Sequence, residues 1–187
     1  MPRRVLVSAL ASAALVVSLA AATVLAAGLP APGWTREDQT AKATFLFNLV
    51  KFTEWPADAM PPGTPLSICV VNDRGTLEQL RQIIGERPVN GRFVLLRWMA
   101  VEGPLGGCHV LYVEGDDERR SAEVIERVKA SPILTIGETE DFATAGGVAR
   151  VFIDHGRVRF VVNLAVAQRS RLYISSKVLA LGVPVRN

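Results

Sequence analysis

Histidine and cysteine are scarce in this chain, which has two of each among its 187 residues. No CxxC or HxxxH spacing is present, so the ligand patterns of common metal sites are missing. Cys108 and His109 are neighbours in an apparent strand, where successive side chains point to opposite faces and cannot form a nucleophile–base pair. The sequence also lacks the GxGxxG and GxxxxGK patterns of phosphate loops and the GxSxG and SxxK patterns of serine enzymes. We therefore expect no catalytic residue, no metal and no cofactor, and a protein that is not an enzyme.

Acidic residues are absent before Glu37, and long uncharged apolar runs are absent after Ala27. Residues 1–26 combine an early Arg pair with an apolar run and small residues near its end, which predicts an export signal peptide. A retained signal anchor is the alternative, because about 20 apolar residues can span a bilayer. Either interpretation places the remainder outside the cytoplasm. We expect a Gly/Pro-containing linker over 27–34 and a periplasmic domain over 35–187, with no transmembrane segment once the signal is removed.

The positive charge of the chain is concentrated in that first segment. The formal net charge is +3, but Arg3 and Arg4 contribute two of the 21 basic residues, and all 18 acidic residues follow the segment. The domain itself is therefore nearly neutral, whereas a nucleic-acid-binding domain usually has a clustered basic face. We expect no nucleic-acid partner.

The two cysteines, Cys69 and Cys108, agree with an exported protein. An even number of cysteines in an oxidising compartment favours a disulfide bond. Two separate buried thiols are the alternative.

Apolar segments alternate with amphipathic ones along the mature chain. Thr35 and Asp38 form a capping-box pattern at the start of a helix, and Thr76 resembles the cap of a second one. A continuous apolar run predicts a buried strand at 66–71, and a second, short buried strand is predicted at 133–136. Further strands are predicted at 92–98 and 109–113. This order predicts an α/β fold: a single compact domain with a largely parallel central sheet flanked by helices.

A hairpin is predicted near the C-terminus, with strands at 148–153 and 158–162 around a His155-Gly156 turn. With that turn, one face is apolar and should belong to the core: Val151, Ile153, Val158, Phe160 and Val162. The other face is cationic and partly aromatic: Arg150, Phe152, Arg157 and Arg159. An ordinary solvated strand face is the alternative interpretation of that second set. Residues 164–181 look helical, with a break at 174–177 that places a cap at Ser175 or Ser176.

Two long segments carry a family resemblance. Residues 42–56 begin with Lys42-Ala43, place Phe45 and Phe47 in the helix and end with Trp55-Pro56. Residues 146–179 begin with Gly146-Gly147, continue through Arg157-Val158-Arg159-Phe160 to Asn163, and end with Leu172-Tyr173-Ile174-Ser175-Ser176-Lys177. Both segments resemble the YfiR-type family of small periplasmic regulators, and shorter matches fall in order between them.

The resemblance implies a non-enzymatic regulator. Such proteins bind the periplasmic sensor part of an inner-membrane diguanylate cyclase and hold it inactive, which lowers cyclic di-GMP and biofilm formation. It also implies a compact α/β sandwich that is often a homodimer. Cys69 and Cys108 match one cysteine pair of the family, and a second pair found in some relatives is absent because no cysteine follows Cys108.

The expected partner-binding residues are the cationic hairpin face and a C-terminal segment that includes Leu172 and Tyr173. Packing of the C-terminal segment against the sheet is the alternative. An alternative function is a small-ligand sensor that uses the loop 72–76, because ligands of open α/β sheets bind at strand ends. A further alternative is an accessory module of an envelope signalling system.

Overall fold

A computed structural model describes residues 35–115, 117–180 and 183–184 of the chain. The predicted signal peptide and linker lie outside these residues. The elements in chain order are α1 (Arg36–Lys51), β1 (Thr53–Glu54), β2 (Leu66–Val71), α2 (Arg74–Ile84), β3 (Val94–Met99), β4 (Val110–Val113), α3 (Glu118–Arg127), β5 (Leu134–Gly137), β6 (Ala149–Asp154), β7 (Arg157–Val162), α4 (Leu164–Arg169), β8 (Tyr173–Ile174), α5 (Ser176–Leu179) and β9 (Val183–Pro184). None of the described helices is long and apolar enough to cross a membrane.

The central sheet has seven strands in the order β3-β2-β4-β5-β6-β7-β9. All neighbouring strands are parallel except β6 and β7, which form the antiparallel hairpin. A second, small sheet pairs β1 with β8 antiparallel. The predicted α/β architecture, with a largely parallel sheet flanked by helices and a C-terminal hairpin, is therefore confirmed.

The two faces of the central sheet are covered unequally. Helices α1 and α2 contribute to the larger apolar core on one face, where the rings of Phe45 and Phe160 stack with centroids 4.3 Å apart. On the other face, α3 packs Val124 and Ile125 against residues of β2 and β4. The flanks of this second face, at β3 and at the hairpin, therefore carry exposed side chains.

Side-chain caps set the helix starts. The Thr35 and Asp38 capping box of α1 is present as expected. The cap of α2 is Asp73 rather than Thr76, because the Asp73 carboxylate accepts the Thr76 N–H at 2.7 Å. Helix α2 therefore begins at Arg74, and most of the predicted loop 72–76 belongs to the helix.

The hairpin has the expected register. Asp154 pairs with Arg157, so His155 and Gly156 form the two-residue turn, and both have positive φ (49° and 71°). Val151, Phe160 and Val162 are buried as expected. Ile153, predicted to be in the core, is 40% exposed, because it lies at the turn end of β6, where its partner Val158 is also only half-buried.

The predicted helical segment 164–181 is divided into three elements. Helix α4 ends at Arg169, and Arg171 adopts a left-handed φ of 58° that reverses the chain. Residues Tyr173–Ile174 then form β8, and the Ser175 N–H donates to the Phe52 carbonyl at 3.0 Å. Ser175 caps α5, as the sequence predicted for one of its two candidate serines.

Candidate functional site

A buried ionic cluster lies at the carboxyl ends of β2, β4 and β5. Lys42, on α1, is fully buried although it carries a charge. Its Nζ lies 3.1 Å from Oδ2 of Asp73, which follows β2, and 2.9 Å from Oε1 of Glu138, which follows β5. Three segments that are distant in the sequence are thereby joined by one ammonium group.

Both carboxylates of this cluster have hydrogen bonds on each oxygen. Asp73 uses Oδ1 to accept the Thr76 N–H, while Glu138 uses Oε2 to accept the Gly115 N–H at 2.8 Å. The Tyr112 hydroxyl donates to Oε1 of Glu138, next to Lys42. Satisfied hydrogen bonds on all sides are what allow charged groups to remain stable in a protein interior.

The surroundings of the cluster are negatively charged. Burial raises the pKa of Tyr112 well above its ordinary value, and the charge of Glu138 raises it further, so the hydroxyl remains a donor. Burial also raises the pKa of Glu114, and the charge of Asp73 adds to that effect. The cluster is therefore suited to cations such as the Lys42 ammonium rather than to anions.

Ligands of open α/β sheets bind where the strand order reverses, which here is between the carboxyl ends of β2 and β4. Asp73 and Lys42 occupy this position and link the N-terminus of α2 to α1. An anionic ligand at the loop 72–76 would meet the Asp73 carboxylate, which already accepts the Thr76 N–H. The arrangement therefore stabilises the fold with the chain's own charges.

The four predicted residues of the hairpin face lie together. The guanidinium carbon of Arg150 lies 4.5 Å from the centre of the Phe152 ring, and Phe152 is opposite Arg159 in the strand register. The Arg150 Nε–H also donates to the Glu138 carbonyl at 3.3 Å. Arg157 is exposed near the tip, and the others are half-buried. The prediction that these four side chains share one face of the hairpin is therefore confirmed.

One acidic residue of this surface was not anticipated. Asp154 has Oδ2 3.9 Å from the Arg159 Nε, and its Oδ1 lies 2.6 Å from Nδ1 of His155. The alternating pattern of β6 contained the signal, because Asp154 has the same parity as Arg150 and Phe152. The face is therefore cationic with one carboxylate at its tip.

The two predicted C-terminal residues differ in exposure. Tyr173 is 62% exposed and lies on β8 opposite Glu54, in the small sheet. Leu172 is only 5% exposed, because its N–H bonds to the Ala167 carbonyl and its side chain turns into the larger core. Leu172 is therefore a packing residue in this structure and does not form part of the exposed surface.

Cys69 and Cys108 form a disulfide bond. Cys69 lies in the middle of β2 and Cys108 lies two residues before β4, so the bond joins neighbouring strands of the sheet. Both residues are buried against α3. The alternative of two separate thiols does not describe this structure.

His109 has a structural environment. Its Nδ1 accepts the Ser67 N–H at 3.0 Å, and its carbonyl accepts the Trp55 Nε1–H at 3.1 Å. Burial lowers the pKa of the imidazole below its ordinary value, which favours the neutral form that can accept this bond.

A model of the YfiR/HmsC-like protein family matches residues 39–183, which is nearly all of the predicted domain. The chain belongs to the YfiR/HmsC-like family. Proteins of this family are periplasmic regulators and not enzymes. The match confirms the resemblance carried by residues 42–56 and 146–179.

Solved structures with the same type of fold include distant proteins. One is described as an ABC domain in complex with L-Trp from Streptococcus pneumoniae; it has 14% sequence identity and a TM-score of 0.52 over 75% of this chain and 59% of that chain. Another is a conserved domain protein from Vibrio cholerae, with 14% identity and a TM-score of 0.54 over 78% of this chain and 60% of that chain. This chain spans about three-fifths of each, and the likeness is one of fold.

Proposed function

We propose that this member of the YfiR/HmsC-like family is a periplasmic regulator that binds the periplasmic sensor part of an inner-membrane diguanylate cyclase. Binding holds the cyclase inactive and so lowers cyclic di-GMP and biofilm formation. The family match over residues 39–183 carries the proposal. The regulator acts by binding alone and uses no cofactor.

Repression of this kind requires only that the regulator prefers the inactive conformation of the cyclase. A thousandfold preference corresponds to about 4 kcal/mol, which a few aromatic and arginine side chains can provide at an interface. The hairpin face offers Arg150 stacked on Phe152 beside Arg157 and Arg159. We propose this face as the contact with the cyclase, and exposed Tyr173 as a second contact on the small sheet.

Cyclic di-GMP in a deletion strain tests the regulatory role. Deletion of the gene should raise the cellular concentration of cyclic di-GMP, and expression of the exported protein should restore the original concentration. A version without residues 1–26 should not restore it if the signal directs export to the periplasm. An unchanged concentration, in cells that demonstrably make the protein, would refute repression of a cyclase.

Charge reversal tests the hairpin face separately. Arg157→Glu with Arg159→Glu should weaken the cyclase complex roughly tenfold or more, because it replaces two attractive charges by repulsive ones. The free energy of unfolding should fall by no more than about 1–2 kcal/mol, through the new repulsion from Asp154, which lies opposite Arg157 and 3.9 Å from Arg159. Arg119→Glu on the exposed side of α3 is the matched control. Equal losses of binding and stability would indicate that the two arginines are structural.

A small-ligand sensor or an accessory module of an envelope signalling system is the second candidate. A protein of similar fold is described in complex with L-Trp, which makes amino acids suitable test ligands for this candidate. A pocket lined by Trp55 and Met60 has a volume of about 250 Å³, which is close to the lower limit for small-molecule sites. A thermal-shift screen of amino acids would support a sensor if one of them raised the melting temperature.

Homodimerisation, which the family resemblance implies, can be measured by sedimentation.

A further inference from the structure

Strand β3 forms one edge of the central sheet and carries unusual apolar exposure. Within the described residues, β3 pairs only with β2. Phe93, which precedes the strand, is 74% exposed, Leu95 is 51% exposed and Trp98 is 39% exposed. These three account for half of the large exposed apolar side chains in the described part of the chain. The edge therefore exposes apolar side chains on both faces of the sheet, with Leu95 on the face of α3 and Trp98 on the face of α2.

The backbone of β3 has groups available for another strand. The Leu66 N–H donates to the Phe93 carbonyl, and the Asn72 N–H donates to the Met99 carbonyl. Because backbone groups alternate in direction along a parallel strand, those of Leu95 and Arg97 also face β2. The N–H and C=O groups of Val94, Leu96 and Trp98 therefore point away from the sheet.

The usual protection of an open edge is limited here. Natural proteins block such edges with proline, bulges, inward-pointing charges or several lysines. Strand β3 has no proline, pairs with β2 residue by residue without a bulge, and carries Arg97 as its one charge. Leu95 lies on the sheet face away from α1 and α2, because its neighbours Val94 and Leu96 pack against the core beneath those helices.

The charge beside this edge is positive. Arg97 lies on the strand, and the guanidinium carbon of Arg74 lies 4.3 Å from the centre of the Trp98 ring. Arg92 precedes the strand and donates to the carbonyls of Met60, Pro61 and Thr64. Among the described residues, these three arginines form no ion pair with a carboxylate. Their charge therefore favours an acidic partner.

We propose that the outer edge of β3 binds an extended, acidic segment of a partner protein, which joins the sheet as an additional strand. Its backbone groups bond to those of Val94, Leu96 and Trp98. Its carboxylates lie on the sheet face of Arg97, and its apolar side chains lie on the face of Trp98. Addition of a strand to an open sheet edge is a common mode of peptide recognition. A second copy of this chain fits less well, because its β3 would bring a further arginine and no carboxylate to the edge. The surface is separate from the hairpin face, and the proposal does not depend on the cyclase.

Hydrogen exchange of the backbone amides tests the proposed strand addition directly. It is measured on the protein purified from cells that express the full-length chain. The probe is a capped seven-residue peptide in which Glu alternates with Val, and the matched peptide has Lys in place of Glu. The Glu peptide should slow exchange at Val94, Leu96 and Trp98, while amides already bonded to β2 should change little. The Lys peptide should bind at least tenfold more weakly, because its charges repel Arg97.

Variants distinguish edge pairing from nonspecific adsorption. Leu95→Glu and Arg97→Glu should each reduce binding of the Glu peptide roughly fivefold or more, while retaining the wild-type melting temperature. Leu164→Glu is the matched control, because Leu164 is 45% exposed on α4. Equal binding of both peptides, or no protection by the Glu peptide, would overturn the proposal. Protection without peptide that rises with protein concentration would assign the edge to a second copy and would also overturn it.

Discussion

Removal of the Lys42 charge should destabilise the protein more than removal of any exposed charge. Lys42→Met keeps most of the side-chain volume but leaves the buried carboxylates of Asp73 and Glu138 without their shared ammonium partner. Loss of one partner from a buried ion pair typically costs about 3–5 kcal/mol. We expect a loss in that range, because all three side chains are at least nine-tenths buried.

Urea unfolding measures this loss. A domain of this size has a denaturant slope of about 2 kcal/mol per molar urea, so a loss of about 4 kcal/mol lowers the midpoint by roughly 2 M. Lys51→Met is the matched control on the same helix, because Lys51 is exposed. Its midpoint should shift by no more than about 0.3 M, as expected for a surface substitution of about 0.5 kcal/mol.

A second substitution separates the charge from the packing. Asn replaces Asp73 well, since its side-chain oxygen can still accept the Thr76 N–H and cap α2. Lys42→Met combined with Asp73→Asn should therefore recover about half of the lost stability, because one uncompensated charge is removed. A loss below about 1 kcal/mol for Lys42→Met, or no recovery in the double variant, would refute the electrostatic account.

Other elements give three further predictions. Replacing Cys69 and Cys108 together by Ala should lower stability by about 3–4 kcal/mol, as expected for a loop closed over 39 residues; oxidised wild-type protein measured in parallel by urea unfolding is the reference. Gly147→Ala should cost about 1–3 kcal/mol, since its Cβ would lie 2.2 Å from the Phe142 ring; Gly106→Ala, in open space, should shift the melting temperature little. Stability should fall as the pH drops through about 6.5, because burial lowers the pKa of His109 and the unfolded chain takes up its proton first. His109→Asn, which retains an acceptor, should reduce that slope; an unchanged slope would remove His109 as its source.

The hairpin shows what the sequence could predict. The turn at His155-Gly156 fixed the register, and the alternation of side chains then assigned each residue to a face. The parallel strands were recognisable for a similar reason, since strands buried on both faces form continuous apolar runs. Local patterns of this kind need no knowledge of distant residues.

The ionic cluster could not be predicted in the same way. Lys42 is 31 residues from Asp73 and 96 from Glu138, and each resembles an ordinary surface charge in its own segment. A partial signal was present, because Lys42 lies on the same helical face as Leu46 and Leu49, which are buried. The irregular course after Arg169 was missed because tertiary bonds, such as that from Ser175 to Phe52, override helix propensity there.

Several of the residues that carry the family resemblance serve the fold. Lys42 neutralises buried carboxylates, Gly147 allows the Phe142 ring to approach, and Asn163 and Ser175 cap α4 and α5. A match at such positions requires the same fold but places no requirement on the partner. The choice of partner must therefore depend on exposed residues, of which Arg157 on the hairpin and the apolar side chains along β3 are the clearest in the described structure. Two members of the family could consequently share this architecture and still bind different partners.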